Sequence, residues 1–596
     1  MEAQDIFVDQ SRTGKRWGAR PYREKDALAI TQQCETPELI SRLIASRGID
    51  CLTADVFLNP TLKKSMPDPA HLKDMDRAVE CVANLVIDRK TIGVFGDYDV
   101  DGATASALLV NYFDALGIST HAHIPDRIVE GYGPNIEALQ KLKGQGCAVV
   151  LTVDCGTTSF DVLDQAYAEG IEVIILDHHG SESKLPRTKA LVNPNRWDEE
   201  SSLTYVSAVG LAYLFIVALN RSLRLRGFFQ EKEAPDLLQF LDLVALGTVC
   251  DVVPLIGLNR AYVRQGLKII HQRHNLGLKT LCDVVGIHQK ISAYHLGFVI
   301  GPRINAGGRV GSSSLGLRLL TTKDPIEALE IAQNLDALNK ERQQIELKAL
   351  DEAYQIAEVM SDDMIIVDGF WHQGIIGIVA GRLKERYHKP TLVITFDESD
   401  VGKGSGRSIE GVDLGSLMHA AKNQGLLING GGHAMAAGFT IHRDQLNAFK
   451  AFMNERLKNT SYNRTPILWF DGFLTLNALN EDFMTSLDHV APFGQSNPSP
   501  LFVLSDLFVK KVDLLANGHL SCVLGDLSGK TIKAFAFKAM DSDLGTTLLK
   551  HEGKRFHFIG SPKINAWGGK ETIQFTIQDI SDAAKESNAR LQKTGS

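Results

Sequence analysis

Asp97-Tyr98-Asp99-Val100-Asp101-Gly102, Asp154 and Asp177-His178-His179 are the residues of this 596-residue chain best suited to chemistry. Each group closes a short apolar run, at residues 91–95, 148–153 and 171–176. In a parallel α/β sheet the carboxyl ends of neighbouring strands open on one crevice. Five Asp and two His gathered there could hold two divalent cations and hydrolyse phosphoesters.

Each motif has a plainer alternative. Asp97-x-Asp99-x-Asp101-Gly102 matches half of an EF-hand loop, but a strand precedes it and its twelfth position is Leu108, where calcium needs a carboxylate. Asp154 alone would read as a helix N-cap; between two other acidic strand ends it reads as a metal-bridging carboxylate. Cys155 has no evident base partner and reads as a packed thiol. Asp251 stands in the apolar run 245–254. A buried carboxylate needs a partner, and locally a metal weighs equally with an internal Arg or a helix cap.

Basic residues fall on glycine-rich stretches. Gly301 to Arg309 sets Arg303, Asn305 and Arg309 on what reads as a loop. Gly402 to Ser408, with Ser405 and Arg407, and Gly430-Gly431-Gly432-His433 read as turns. Free backbone N–H groups and guanidinium forks suit phosphate. Neither stretch has the spacing of a Walker loop.

The elements that must position these residues follow from the wider pattern. The length calls for three or four domains. A 44% hydrophobic and 22% charged composition is that of an ordinary globular protein. The net charge of −8 confines any nucleic-acid site to a local basic track. Eight Cys without a C-x-x-C pair read as free thiols in a reducing cytoplasm. No apolar run is read as reaching the ~18 residues of a membrane span, and the N-terminus lacks a signal-peptide core.

Residues 1–75 carry no chemical motif. Residues 76–320 begin with alternating β and helical runs, one helix starting at Ala103, which predicts a parallel sheet. Residues 321–362 form a long connecting helix, and 363–460 a second α/β domain. Residues 461–585 read as five strands (507–512, 519–524, 531–537, 555–559 and 573–577) of an OB-like barrel. A polar tail, 586–596, ends the chain.

Together these residues resemble the DHH phosphoesterase family. Asp97 to Gly102 resembles its first motif, Val153-Asp154-Cys155-Gly156 its third, and Asp177-His178-His179 its signature. Asp251 falls where the next metal ligand is expected, and Gly404 to Ser408 and Gly430 to His433 resemble the associated second domain. The resemblance covers about 80 to 580, and the β module points to the branch that digests single-stranded DNA from the 5′ end. It implies two parallel-sheet α/β domains joined by a long helix around a cleft, plus the barrel. It implies two cations, Mn²⁺ or Mg²⁺, held by Asp99, Asp101, Asp154, His178 and Asp251, with Asp154 bridging. Some relatives carry a His ahead of the first cluster. Val94-Phe95-Gly96 stands there in this chain, which leaves open whether Asp97 completes the first ligand set.

The resemblance places His179 either behind the metal ligands or as an acid that stabilises the transition state. It places Arg127, Arg303, Asn305, Arg309, Ser405, Arg407, Ser408, Gly431 and His433 around a 5′-phosphate, and Tyr132 against a base. A narrow mouth would exclude duplex DNA. Lys533, Lys538, Arg555, Lys563, Trp567 and Lys570 would hold the trailing strand, although Trp567 and Phe535 suit a barrel core equally. Expected partners are single-stranded DNA, a helicase and a single-strand-binding protein, but no membrane, and a monomer suffices. Two competing readings are a DHH enzyme for short oligonucleotides, cyclic dinucleotides or pyrophosphate, and a non-catalytic DNA-binding scaffold.

Overall fold

The computed structural model describes residues 6–127, 129–458, 460, 462–567 and 570–583, without the side chains of 566, 567 and 570. The expected tail, 586–596, lies outside the described residues. The chain forms two units, one from Pro60 to Tyr462, the other joining the residues up to Asn59 with those from Asn463 onward.

In the first unit, five parallel strands run in the order Thr120–His123, Ile92–Gly96, Val149–Val153, Val173–Leu176 and Ala190–Val192. Ile92–Gly96, Val149–Val153 and Val173–Leu176 are buried throughout, hence their apolar sequence, broken only by Thr152. The helix expected from Ala103 begins at Val100. Asp99 caps it: its carboxylate accepts N–H bonds from Asp101 at 2.9 Å and Gly102 at 3.1 Å, satisfying free first-turn donors. The carboxylates of the first motif therefore leave a strand–helix junction, not an extended strand.

Ala208–Leu225, with 18 residues and a mean hydropathy of 1.4, is long and apolar enough to cross a membrane, contrary to the expectation that no stretch reaches that length. It is 72% buried within the fold. The connecting helix is Pro325–Glu358, 34 residues capped by Asp324. That is ~51 Å at 1.5 Å per residue.

The second α/β layer follows the order Asn429–His433, Ala436–His442, Val401–Arg407, Thr391–Phe396, Ile365–Gly369. Only the last two strands pair in parallel; the other pairings are antiparallel. The expected parallel sheet is thus mixed here. A tight turn at Asp397–Asp400 is the cause: the Asp397 carboxylate accepts N–H bonds from Ser399 and Val401, which sends the chain straight back without a crossover helix.

The two glycine-rich stretches expected as turns, Val401–Arg407 and Asn429–His433, are strands. An added Cβ at Gly404 would overlap the Phe439 ring, and one at Gly406 would meet Leu392. These glycines admit core side chains onto the backbone. Gly301–Val310, expected as a loop, is a helix, and its first glycine serves the same close packing, since a Cβ at Gly301 would strike Cys250.

In the other unit, Phe502–Leu514, Leu520–Gly525, Thr531–Ala536, Lys570–Asp582 and Arg555–Trp567 pair in sequence, and the last pairs back to the first. The result is a closed five-stranded barrel of OB type. The N-terminal segment expected to run to residue 75 divides at Asn59. Arg16–Ala19 pairs in parallel with Ile467–Phe470, and the buried Trp17 indole donates to Asp579 at 2.9 Å. Ile40, Leu43 and Ile44 share a core with Leu504 and Phe556.

Candidate metal centre and phosphate pocket

Asp97 follows the strand Ile92–Gly96, while Asp101 lies in the first turn of the next helix. Gly102 allows the junction, because any Cβ there would overlap the Asp97 backbone. The Asp101 carboxylate accepts N–H bonds from Ala208 at 2.6 Å and Val209 at 3.0 Å. Asp154 leaves its strand at φ 63°. Asp251 caps the C-terminus of Leu241–Cys250, and Val252 after it has φ 61°. Positive φ at two non-glycine residues, one β-branched, stores strain of the kind found at functional sites.

Ligand atoms of Asp97, Asp99 and Asp154 lie within 4.8 Å of one another, as do those of Asp101, His178 and Asp251, and those of Asp154, His178 and His179. Asp154 is shared, and His178 Nε2 sits 3.2 Å from its carboxylate and 3.6 Å from that of Asp251. Asp97 Oδ1, His178 Nε2 and Asp251 Oδ2 are buried without a well-formed hydrogen bond among the described residues. Burial, then the charge of Asp99, pushes Asp101 up to about 7. Burial with Asp101 and Asp99 pushes Asp251 to about 9, and Asp97 and Asp154 also rise. Burial and His179 lower His178 to about 4, leaving it a neutral ligand. Orphaned carboxylate oxygens beside a neutral imidazole fit Mn²⁺ or Mg²⁺ by donor chemistry.

Asp177 orients the neighbouring imidazole. Its carboxylate accepts the His178 and His179 amides at 2.7 and 3.1 Å, the Thr157 amide at 3.0 Å, and a bond from His179 Nδ1 at 2.8 Å. Burial alone would raise this carboxyl, but the His179 bond and charge hold it well below the usual carboxylate range. Burial lowers His179, but its bond to Asp177 and the charges of Asp177, Asp97 and Asp99 together outweigh that and raise it. Asn193 donates to Thr157 at 2.8 Å and to the His179 carbonyl at 2.9 Å, and Asn195 to the His178 carbonyl at 2.6 Å. Sequence reasoning gathered Asp177 with the cation-holding carboxylates, whereas here its oxygens are taken up by amides and His179, and it missed both Asn residues. Their signal is Asn193-Pro194-Asn195 directly after the strand Ala190–Val192, one more polar station at a strand end. Tyr132 has its hydroxyl 3.2 Å from both the Asp154 carbonyl and His179 Nδ1, and 52% of the residue remains exposed.

Asp177 and His179 line a cavity of about 1020 Å³ together with Arg127, Arg309, Ser405, Arg407, Gly431 and His433. The Arg127 guanidinium lies over the Tyr98 ring at 4.7 Å. Arg309 donates to the Gly374 carbonyl at 2.7 Å, and Arg407 to the Gly406 carbonyl at 2.8 Å and Ser405 Oγ at 3.2 Å. Burial, then the charges of Arg127, Arg342 and Arg407, lowers Arg309 to about 10. None of Arg127, Arg309 and Arg407 forms an ion pair among the described residues, so the cluster is suited to an anion.

Three expected phosphate ligands lie away from this wall. Arg303 is paired with Asp336 at 2.8 Å and donates to the Val299 carbonyl at 2.7 Å. On a helix it lies about 120° round from Arg309, so the loop reading misplaced it. Asn305 is half-buried on that helix and absent from the cavity lining among the described residues. Ser408 is buried, its hydroxyl donating to the Val412 carbonyl at 2.6 Å.

On the barrel, Lys533 and Lys538 are exposed, the Lys533 ammonium 5.2 Å from the Phe535 ring centre. Arg555 is paired with Asp506 at 2.9 Å. The side chains of Trp567 and Lys570 lie outside the described residues. Phe535, given even odds as core, is half-exposed because Ile532, Ala534 and Ala536 take the inward positions. It stacks on Phe537 at 6.3 Å and 17°.

Residues 91–248 match the DHH family, N-terminal domain, 353–459 the DHHA1 domain, and 470–579 the RecJ OB domain. A Haemophilus influenzae protein named single-stranded-DNA-specific exonuclease RecJ is 34% identical over 573 residues, covering 93% of this chain and 98% of that protein. The crystal structure of Thermus thermophilus RecJ in complex with Mn²⁺ has a TM-score of 0.78 at 28% identity, covering 94% of this chain and 78% of the other. The Mg²⁺ complex of the same protein gives 0.73 at 27%, covering 95% and 77%. With the domains in this order and identity extending over nearly its whole length, the chain belongs to the RecJ family of DHH proteins.

Proposed function

We propose that this chain is a metal-dependent exonuclease specific for single-stranded DNA, releasing 5′-mononucleotides from the 5′ end in DNA repair and recombination. The observation that carries this reading is a continuous Asp/His cluster beside a cavity that also gathers three arginines without ion-pair partners among the described residues.

Asp97, Asp99 and Asp154 would hold one divalent cation, and Asp101, His178 and Asp251 the other, with Asp154 between them. When bound, Mn²⁺ or Mg²⁺ would activate a water and neutralise charge developing on phosphorus. His179, with Nδ1 tied to Asp177, keeps Nε2 to donate to a phosphate oxygen or the departing 3′-oxygen. Arg127, Arg309, Arg407 and Ser405 would grip the terminal 5′-phosphate. Anchoring the end there sets cleavage one nucleotide inward. Tyr132 offers its ring to the terminal base. Lys533, Lys538 and the Phe535–Phe537 stack would hold the trailing strand by charge and stacking, with Arg555 free to exchange its surface carboxylate for phosphate. A helicase and a single-strand-binding protein would supply the strand in the cytoplasm, and one copy of the chain carries the whole site.

The small-substrate reading leaves the barrel unused, and the scaffold reading leaves the carboxylate cluster unused. The deciding assay is Mn²⁺-dependent mononucleotide release from 5′-phosphorylated single strands, wild type beside Asp154→Ala. A loss of about a thousandfold or more is expected for a two-metal site. Equal activity in both would remove Asp154 from the chemistry.

A further inference from the structure

The cavity extends past the arginine cluster along a face of the second sheet that no step above uses. Three cross-strand rows point into it: His433–Ala436–Arg407, then Gly431–Gly438–Ser405, then Asn429–Thr440–Lys403. Two of the three positions of the middle row are bare, since an added Cβ at Gly431 or Gly438 would meet nothing within 4 Å. The far row is cationic and polar. Lys403 donates to Thr440 Oγ1 at 3.1 Å, and Lys422 to the Asn429 side chain at 3.0 Å. Neither lysine forms an ion pair among the described residues.

We propose that this row is a subsite for phosphates beyond the first, so that the enzyme accepts 5′-triphosphorylated strands. The inference rests on the 5′-phosphate reading of Arg407 and Ser405. Four strand residues place Lys403 ~13 Å from Arg407 at the Cα, a span bridged by a triphosphate tail and the reach of a lysine side chain. The glycine floor leaves the tail unobstructed, and the Lys403 ammonium meets its outer charges. The reaction is unaltered: one water adds to the scissile phosphorus, the P–O3′ bond breaks, and the 3′-oxygen takes a proton. The first product is a nucleoside 5′-triphosphate, and every later one a monophosphate because the new end carries a single phosphate.

The test uses single-stranded DNA with a 5′-hydroxyl, monophosphate or triphosphate end, against wild type and Lys403→Ala. Wild type is expected to release the first nucleotide of the triphosphate end as a triphosphate. Lys403→Ala is expected to lower kcat/KM for that end about tenfold, the worth of one charge-assisted contact, while the monophosphate end stays within about twofold. Wild type inert on the triphosphate end but active on the monophosphate overturns the subsite, as does an equal loss on both ends in the variant. Wild type indifferent between hydroxyl and monophosphate overturns the underlying phosphate pocket instead.

Discussion

The carboxylate cluster and the cavity beside it carry opposite charges and are built by opposite means. On the first sheet, carboxylates are delivered by strand ends and helix caps, where the backbone turns sharply and Asp154 and Val252 accept positive φ. On the second, Ser405 and Arg407 stand at alternate positions of one regular strand, with the small residues Gly438 and Ala436 opposite them. The first is a cluster of crowded carboxyls; in the second Arg407 meets Arg127 and Arg309, contributed from the first sheet's side, in a cluster of like positive charges. Each is electrostatically unfinished alone, one lacking cations and the other an anion. The lesson is that a site built for bound charges can be recognised by what its own residues fail to neutralise.

That contrast can be broken most decisively at the shared carboxylate. Asp154→Asn is expected to cost at least about a thousandfold in activity while raising the melting temperature of the metal-free protein, since it replaces a buried carboxyl crowded by Asp99, Asp101, Asp97 and Asp251. A lower melting temperature would mean that the cluster is neutralised internally. The next effect is on pH dependence. Asp101 and Asp251 keep their protons up to about 7 and about 9 in the fold, but release them near pH 4 when unfolded. Between those values the folded state binds more protons, so stability in EDTA must fall as pH rises. Mn²⁺ should flatten that slope by replacing the protons. A flat melting profile in EDTA would contradict the raised carboxyls.

On the other wall, Arg407→Ala is expected to raise KM for 5′-phosphorylated ends about ten- to thirtyfold by losing a charged contact, with hydroxyl ends nearly unaffected. An equal rise for both ends would assign Arg407 to the strand rather than its terminus. The smallest change is expected from Arg303→Ala. Its pairing with Asp336 predicts a stability loss of about 1 kcal/mol and an unchanged preference for phosphorylated ends, read by denaturant melting beside the end-preference assay.

The acidic wall was legible in the sequence because apolar runs point to it: residues 92–96, 149–153 and 173–176 each deliver a carboxylate within a few positions of their ends. Asp251 was half-legible, since a helix C-cap in an apolar stretch has no local mark separating metal ligand from cap. The basic wall was read correctly in its residue types and wrongly in its backbone. Glycine signals a turn when φ must be positive, but Gly301 and Gly404 are there for close packing against Cys250 and Phe439, and those partners are distant in sequence. Arg303 was misplaced by the same error, since its partner Asp336 lies 33 residues on. The N-terminal residues were unreadable alone because Arg16–Ala19 finds its neighbour at Ile467–Phe470.

That last pairing imposes an order on synthesis. About 400 residues separate Asn59 from Asn463, some 20–80 s of elongation at typical rates. Throughout that interval Trp17 waits for Asp579, and the helix Glu38–Ala45, eight residues long, is too short to persist unaided. The nascent N-terminus must stay soluble with Ile40, Leu43 and Ile44 uncovered while the metal-binding unit is completed behind it. The strand-holding barrel unit is therefore finished last, when the final strand leaves the ribosome.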